Sequence, residues 1–192
     1  MASYSMDIDF CSDNLMFMRF HPSFLYEPGS VILRSEDDWC FALNPDNLLT
    51  ATGHRTLDAS CSMIPGVADV PYPSHILEVL FWCIYPRPFP CLDAMNFDQL
   101  MLFGKAANHF CIHSAVALSL AFLKKHVHQH PKDLLAFAVQ CGYDCLIKEV
   151  ASTEFLNAPL IEVAGVLPDS LFKAWCLYRD SKANRPAECL TQ

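Results

Sequence analysis

Between Ser74 and Pro86 the chain is apolar on every face of a helical wheel. Ile76, Leu77, Val79, Leu80, Phe81, Trp82 and Ile84 cover the surface, and Glu78 is the one charge. A helix that is apolar all round is a buried one. The stretch is far too short to span a bilayer, so it predicts a core helix on which the rest packs. Ser74 suits the N-cap, where its hydroxyl takes an orphan backbone N–H. Pro86 bars the helix from continuing.

Upstream the period shortens. Val31-Ile32-Leu33 reads as a short strand, Glu36-Asp37-Asp38 as a polar turn, and Trp39-Cys40-Phe41-Ala42-Leu43 as a second strand. Alternation places Trp39, Phe41 and Leu43 on one face of that β-hairpin. Asn44-Pro45 matches an N-cap followed by proline at the first helical position. A short helix through Leu48 and Leu49 then ends near Gly53. Residues 51–66 read as a loop or one loose helical turn. Residues 67–72 supply a third short strand, with Pro71 near its edge or end. At the N-terminus, Leu15-Met16-Phe17-Met18-Arg19-Phe20 fits a short strand, a helical turn or a partner-facing segment, and Glu27-Pro28-Gly29 a turn.

Downstream the spacing becomes helical. Residues 85–92, Tyr-Pro-Arg-Pro-Phe-Pro-Cys-Leu, form a proline-stiffened loop. Asn96 and Gln99 match a capping box. Leu100, Phe103, Ala107 and Phe110 mark one buried helix face; Val116, Leu120, Leu123 and Val127 mark the next. Pro131 opens a third helix through Leu134, Leu135, Ala138 and Val139, which Gly142 ends. Residues 145–150 make a fourth. Pro159 and Pro168 punctuate the tail, and Leu171, Trp175 and Tyr178 line a last helix. Strands come early and helices late, which predicts an α+β fold: a small three-stranded sheet flanked by helices, then an α-helical C-terminal extension. The expected divisions are an arm over 1–24, a domain over 25–130, a helical extension over 131–180 and a frayed tail over 181–192.

A chain of 192 residues, 53% hydrophobic and 18% charged, has material for a sizeable core and argues against disorder. No apolar run reaches membrane-spanning length, and no basic region followed by an apolar run marks a signal peptide. A net charge of −8 without a segregated basic patch argues against nucleic acid as a partner. The ten cysteines lie mostly in apolar or helical patterns and read as buried thiols of a reducing compartment, cytoplasmic or nuclear.

His109-x-Cys111-x-His113 and His126-x-His128-x-His130 invite a metal reading. Residues two apart on a helix point to opposite sides, however, whereas ligands on one face need three or four, so the first set would need His113 in a break between helices to form a loop site. Cys141-x-x-x-Cys145 has better spacing, but Gly142 interrupts it. A zinc- or thiol-dependent protein using His109, Cys111 and His113, or Cys141 and Cys145, is therefore the alternative reading; no cofactor is expected in the preferred one. No phosphate-binding glycine loop, nucleophile elbow or dinucleotide fingerprint occurs, so the chain reads as no enzyme. Tyr85, Arg87 and Phe89, on a loop whose prolines lower the ordering cost of binding, are the candidate partner contacts. Tyr85 and Phe89 serve equally well as plugs of the core. Leu15, Met16, Phe17, Met18 and Phe20 form an apolar arm that must bury itself on its own domain or on a partner.

The order of elements and several strings resemble the BTB/POZ family, in the divergent form common in fungal proteins. They are Ser30-Val31-Ile32-Leu33-Arg34-Ser35, Phe41-Ala42-Leu43, the Leu48-Leu49 pair and, above all, residues 76–86, Ile-Leu-Glu-Val-Leu-Phe-Trp-Cys-Ile-Tyr-Pro. Residues 100–110, with Lys105-Ala106-Ala107, are similar to a later family helix. The resemblance covers roughly residues 30–130. It implies an oligomerisation and adaptor role, with proteins as partners, a homodimer built by the N-terminal segment, and docking to a cullin ubiquitin ligase or a transcriptional complex. The hydrophobic-x-Glu string that the family uses towards cullins does not occur in residues 85–92.

Overall fold

The computed structural model describes residues 17–53, 60–61 and 66–183. The expected hairpin is β1 (Val31–Arg34) and β2 (Cys40–Leu43), antiparallel, with Val31 opposite Leu43 and Arg34 opposite Cys40. The expected third strand is β4 (Val67–Asp69), parallel to β1. A two-residue strand, β3 (Ser60–Cys61), pairs antiparallel with β4 and extends the sheet to the order β2–β1–β4–β3. It lies inside the stretch expected to be irregular; two residues are too few to show a strand period. Parallel pairing of β1 and β4 needs a crossover, which contains helix α1 (Pro45–Thr52). Asn44 caps α1 by accepting from the N–H groups of Asp46 and Asn47 at 2.9 and 3.2 Å. Gly53 ends it at φ 79°, a conformation that carries little penalty for glycine alone.

The apolar helix is α2 (Ser74–Trp82). Ile76, Leu77, Leu80 and Phe81 are fully buried. Val79 and Trp82 are only half-buried and His75 is exposed, so the helix is not enclosed all round. Its outer side is instead covered in part by Arg87, whose guanidinium lies 4.1 Å from the centroid of the Trp82 ring. The cap also differs from expectation. Pro73, extended, holds the cap position with no side-chain hydrogen bond. Ser74 is the first helical residue, and Asp37 of the hairpin turn accepts its N–H at 2.7 Å and its hydroxyl at 2.5 Å. A carboxylate at a helix N-terminus satisfies orphan donors and suits the helix dipole. Burial pushes the Asp37 carboxyl up, but the hydrogen bonds from Ser74 and Ser35 outweigh it and hold the group below its ordinary value.

Phe81 meets the ring of Phe41 on β2 at 5.4 Å, Phe24 at 6.1 Å and Phe110 at 6.0 Å between centroids. Arg34 and Asp69, opposite each other on the parallel strands, form a two-toothed pair at 2.7 and 3.0 Å. On that same face of the sheet, opposite to the one carrying Phe41, Ile32, Cys40 and Val67 form a cluster against which Met18 and Phe20 pack.

The chain divides into two compact units, Met1–Pro90 with His109–Ser114, and Cys91–Asn108 with Ala115–Gln192. The second carries α3 (Phe97–His109, all but its last residue), most of α4 (His113–Leu123), α5 (Pro131–Cys141), α6 (Asp144–Ala151), α7 (Leu160–Ala164) and α8 (Asp169–Ala183). The expected boundary after residue 130 falls inside this unit. Asn96 and Gln99 form the reciprocal capping box, at 2.9 and 3.1 Å. On α4 the buried positions are Ala115, Ser119 and Leu123, whereas Val116 and Leu120 are half-buried. The small residues turn inward because α3 approaches closely through Gly104. A Cβ there would stand 3.1 Å from the Phe137 ring and 3.4 Å from the Ser119 hydroxyl oxygen. Gly142 ends α5 at φ 72° as expected, and α8 runs to Ala183, past the expected start of fraying.

Replacing Phe81 with Ala should lower the unfolding free energy by about 3–5 kcal/mol in urea titrations, because the cavity cannot close under three other rings. Asp37→Ala should cost about 0.5–2 kcal/mol at neutral pH. Since Asp37 titrates lower in the folded protein, this advantage of the wild type is present above the unfolded carboxyl value. It should shrink as the pH falls below about 4.

Candidate functional site

The loop after α2 is where sequence and structure place the candidate partner contacts. Ile84 is buried and anchors it, while Pro86, Pro88 and Pro90 restrict its backbone. The Arg87 N–H donates to the Tyr85 carbonyl at 2.8 Å, which turns the loop back on itself. The Arg87 guanidinium then lies over Trp82 and 5.3 Å from the Tyr85 ring centroid. The structure therefore brings Tyr85 and Arg87 together and adds Trp82, which the helical pattern assigned to the core. Phe89 stands apart and is 60% exposed.

Tyr85 faces inward. Its ring lies 5.8 Å from that of Phe24, and it lines a cleft of about 320 Å³ with Glu27, Ser30, Asn44 and Asn47. Burial pushes its phenol above the ordinary value, opposed by a hydrogen bond from the Asn44 backbone and by the Arg87 charge. Beside the cleft Leu25 is 64% exposed. Neither Leu25 nor Tyr26 belonged to a periodic run, so nothing in the pattern singled them out.

Of the apolar arm, Leu15 and Met16 lie outside the described residues. Phe17 is exposed, while Met18 and Phe20 pack on the Ile32–Cys40–Val67 cluster of the same chain. Residues 19–24 act as an extra edge to the sheet. The Cys40 N–H donates to the Arg19 carbonyl at 2.8 Å, the His21 N–H to the Cys40 carbonyl at 2.8 Å, and the Ala42 N–H to the Phe24 carbonyl at 3.1 Å. The free side of β2 is thereby covered by the protein's own backbone, which blunts an edge that would otherwise invite pairing. Arg19 lies 3.6 Å over the Trp39 ring, and His21 stacks on Phe41 at 5.0 Å. Part of the expected arm is thus woven into the first unit.

For the alternative reading, the structure places the residues as follows. His109 stacks on Phe110 at 4.8 Å, and its Nδ1 lies 3.1 Å from the Tyr72 hydroxyl. Cys111 and His113 are exposed, and Cys111 takes a positive φ of 53° at the break between α3 and α4. Cys145 is exposed beyond the Gly142 break and Cys141 half-buried, burial holding the Cys141 thiol above its ordinary value. His126 and His130 flank the Phe97 ring, His130 stacked at 3.8 Å. Among the described residues no three His, Cys, Asp or Glu side chains are grouped to hold a metal ion. Cys83 is enclosed, and burial pushes its thiol up to about 12. Among the described residues no helix is long and apolar enough to cross a membrane.

Compared with known proteins, the chain matches no protein-family model and no curated protein.

Thiol reactivity follows thiolate content and access. In the native protein at pH 8, iodoacetamide should modify Cys91 and Cys145 quickly, and Cys40 and Cys83 only at the rate of unfolding, as read by peptide mass spectrometry. Prompt native modification of Cys83 would contradict its enclosure.

Proposed function

We propose that this chain is a non-enzymatic protein-interaction module of BTB/POZ type, working by self-association and partner docking in a reducing compartment. The observation that carries the reading is the succession of elements in the first unit. A hairpin is followed by a capped short helix, a strand parallel to the first, and an apolar helix that ends at Trp82, just before Tyr85-Pro86. That succession is the one on which the sequence resemblance stands. The exposed Phe89, the Arg87–Trp82 stack and the exposed Leu25 supply the aromatic, arginine and aliphatic contacts that partner surfaces use. The chain segment that the family would use to dimerise is shortened here. Residues 18–24 are committed to their own sheet, which leaves Leu15, Met16 and the exposed Phe17 for a second copy.

Light scattering on the full chain and on a chain lacking residues 1–17 tests this. The expected result is a mass of twice the chain for the first and of a single chain for the second. A single-chain mass for both would refute self-association. An unchanged dimer would refute the role given to Leu15, Met16 and Phe17.

A further inference from the structure

The described residues cover the expected core stripe of α8 only in part. Trp175 is buried, but Leu171 is half-buried and Tyr178 is 39% exposed. These side chains and Ala174 form one wall of a trough of about 430 Å³, and Ile147 and Ala151 of α6 form the other. Both walls repeat their apolar residues at helical spacing, 147 and 151 on one side and 171, 174 and 178 on the other. Each wall carries an alanine, so an inserted side chain can reach deep between the helices. The lining holds one charge, Lys148. Lys182 lies one helical turn past Tyr178, its ammonium 5.4 Å from that ring centroid. Neither lysine forms an ion pair with the described residues, whereas nearby Glu149 is held by Lys124 at 4.0 Å. The chain carries a net charge of −8, yet among the described residues these two cations near the trough have no ion-pair partner.

We infer that this trough on the second unit docks an acidic amphipathic helix of a partner protein. Helical walls with apolar ridges accept the ridges of a third helix, in the helix-in-groove mode. One cation on the α6 wall and another just past the end of the α8 wall ask for acidic residues on both flanks of the incoming apolar stripe, whereas a single-headed amphiphile answers only one of them. The site does not depend on the self-association assigned to the first unit.

The test uses the full chain and fluorescein-labelled peptides of about 18 residues, long enough for helix formation. One has leucines at helical i, i+4, i+7 and i+11 spacing with glutamates elsewhere; a second has lysines in place of the glutamates. Fluorescence anisotropy should show saturable binding of the glutamate peptide that weakens with added salt. The lysine peptide and the Lys148→Glu, Lys182→Glu double variant should each bind about tenfold more weakly. Ala174→Arg fills the trough at an exposed position with a good helix former, so the fold persists and binding should be lost. Equal binding of the two peptides, unchanged binding by Ala174→Arg, or no binding of the glutamate peptide would each overturn the inference. So would binding of dodecanoate that Ala174→Arg abolishes while the glutamate peptide stays unbound, since the trough would then belong to a small amphiphile.

Discussion

The first unit depends on the enclosure of one aromatic ring. Phe81 sits at the far end of α2, and the rings around it come from residues distant in sequence: Phe24 before the sheet, Phe41 on β2 and Phe110 after α3. Each of these segments is short. None buries enough apolar area to hold its own shape, and an isolated hairpin or a nine-residue helix is marginal in water. Burial of a single ring gives them a shared hydrophobic gain of a few kcal/mol. Polar bonds then fix the geometry that the ring permits. Asp37 ties the hairpin turn to the start of α2, and Arg34 with Asp69 holds the register of the parallel strands.

This arrangement explains why so much of the fold could be read from the chain. Asn44-Pro45, Gly53, the Asn96–Gln99 box and Gly142 are local devices whose partners lie within a few residues, and all four appear as expected. The apolar run 76–81 needed no partner to announce burial. What stayed hidden rests on contacts over long sequence separations. The cap of α2 comes from Asp37, which by itself reads as one of three acidic residues in a turn. The covering of β2 by residues 19–24 is a backbone event with no side-chain signature. On α4 the inward face carries Ala115 and Ser119, because close approach at Gly104 favours small residues over the larger Val116 and Leu120. A hydrophobicity pattern ranks these in the opposite order.

The candidate surfaces were legible to the same uneven degree. Tyr85, Arg87 and Phe89 stand on the proline-stiffened loop as expected; Arg87 and Phe89 are exposed, whereas Tyr85 is half-buried. Tyr85 is half plug and half cleft wall, which joins its two readings. The arm also divides, with Met18 and Phe20 on the chain's own cluster and Phe17 outside it. The trough beside α8 was present in the pattern only as a stripe, Leu171, Trp175 and Tyr178, wider than the described residues cover. A stripe records which side chains avoid water, not whether the protein that hides them is the same molecule.

Native-state hydrogen exchange measures the central dependence most directly, because it reports the opening energy of each segment separately. If enclosure of Phe81 holds the first unit together, the slowest amides of that unit should be those of Leu80 and Phe81 on α2 and of Leu33 and Leu43 on the hairpin. They should share one opening energy, equal to that of global unfolding of the unit. Exchange of the α2 amides at the rate of a frayed terminus, with the hairpin still protected, would contradict the account.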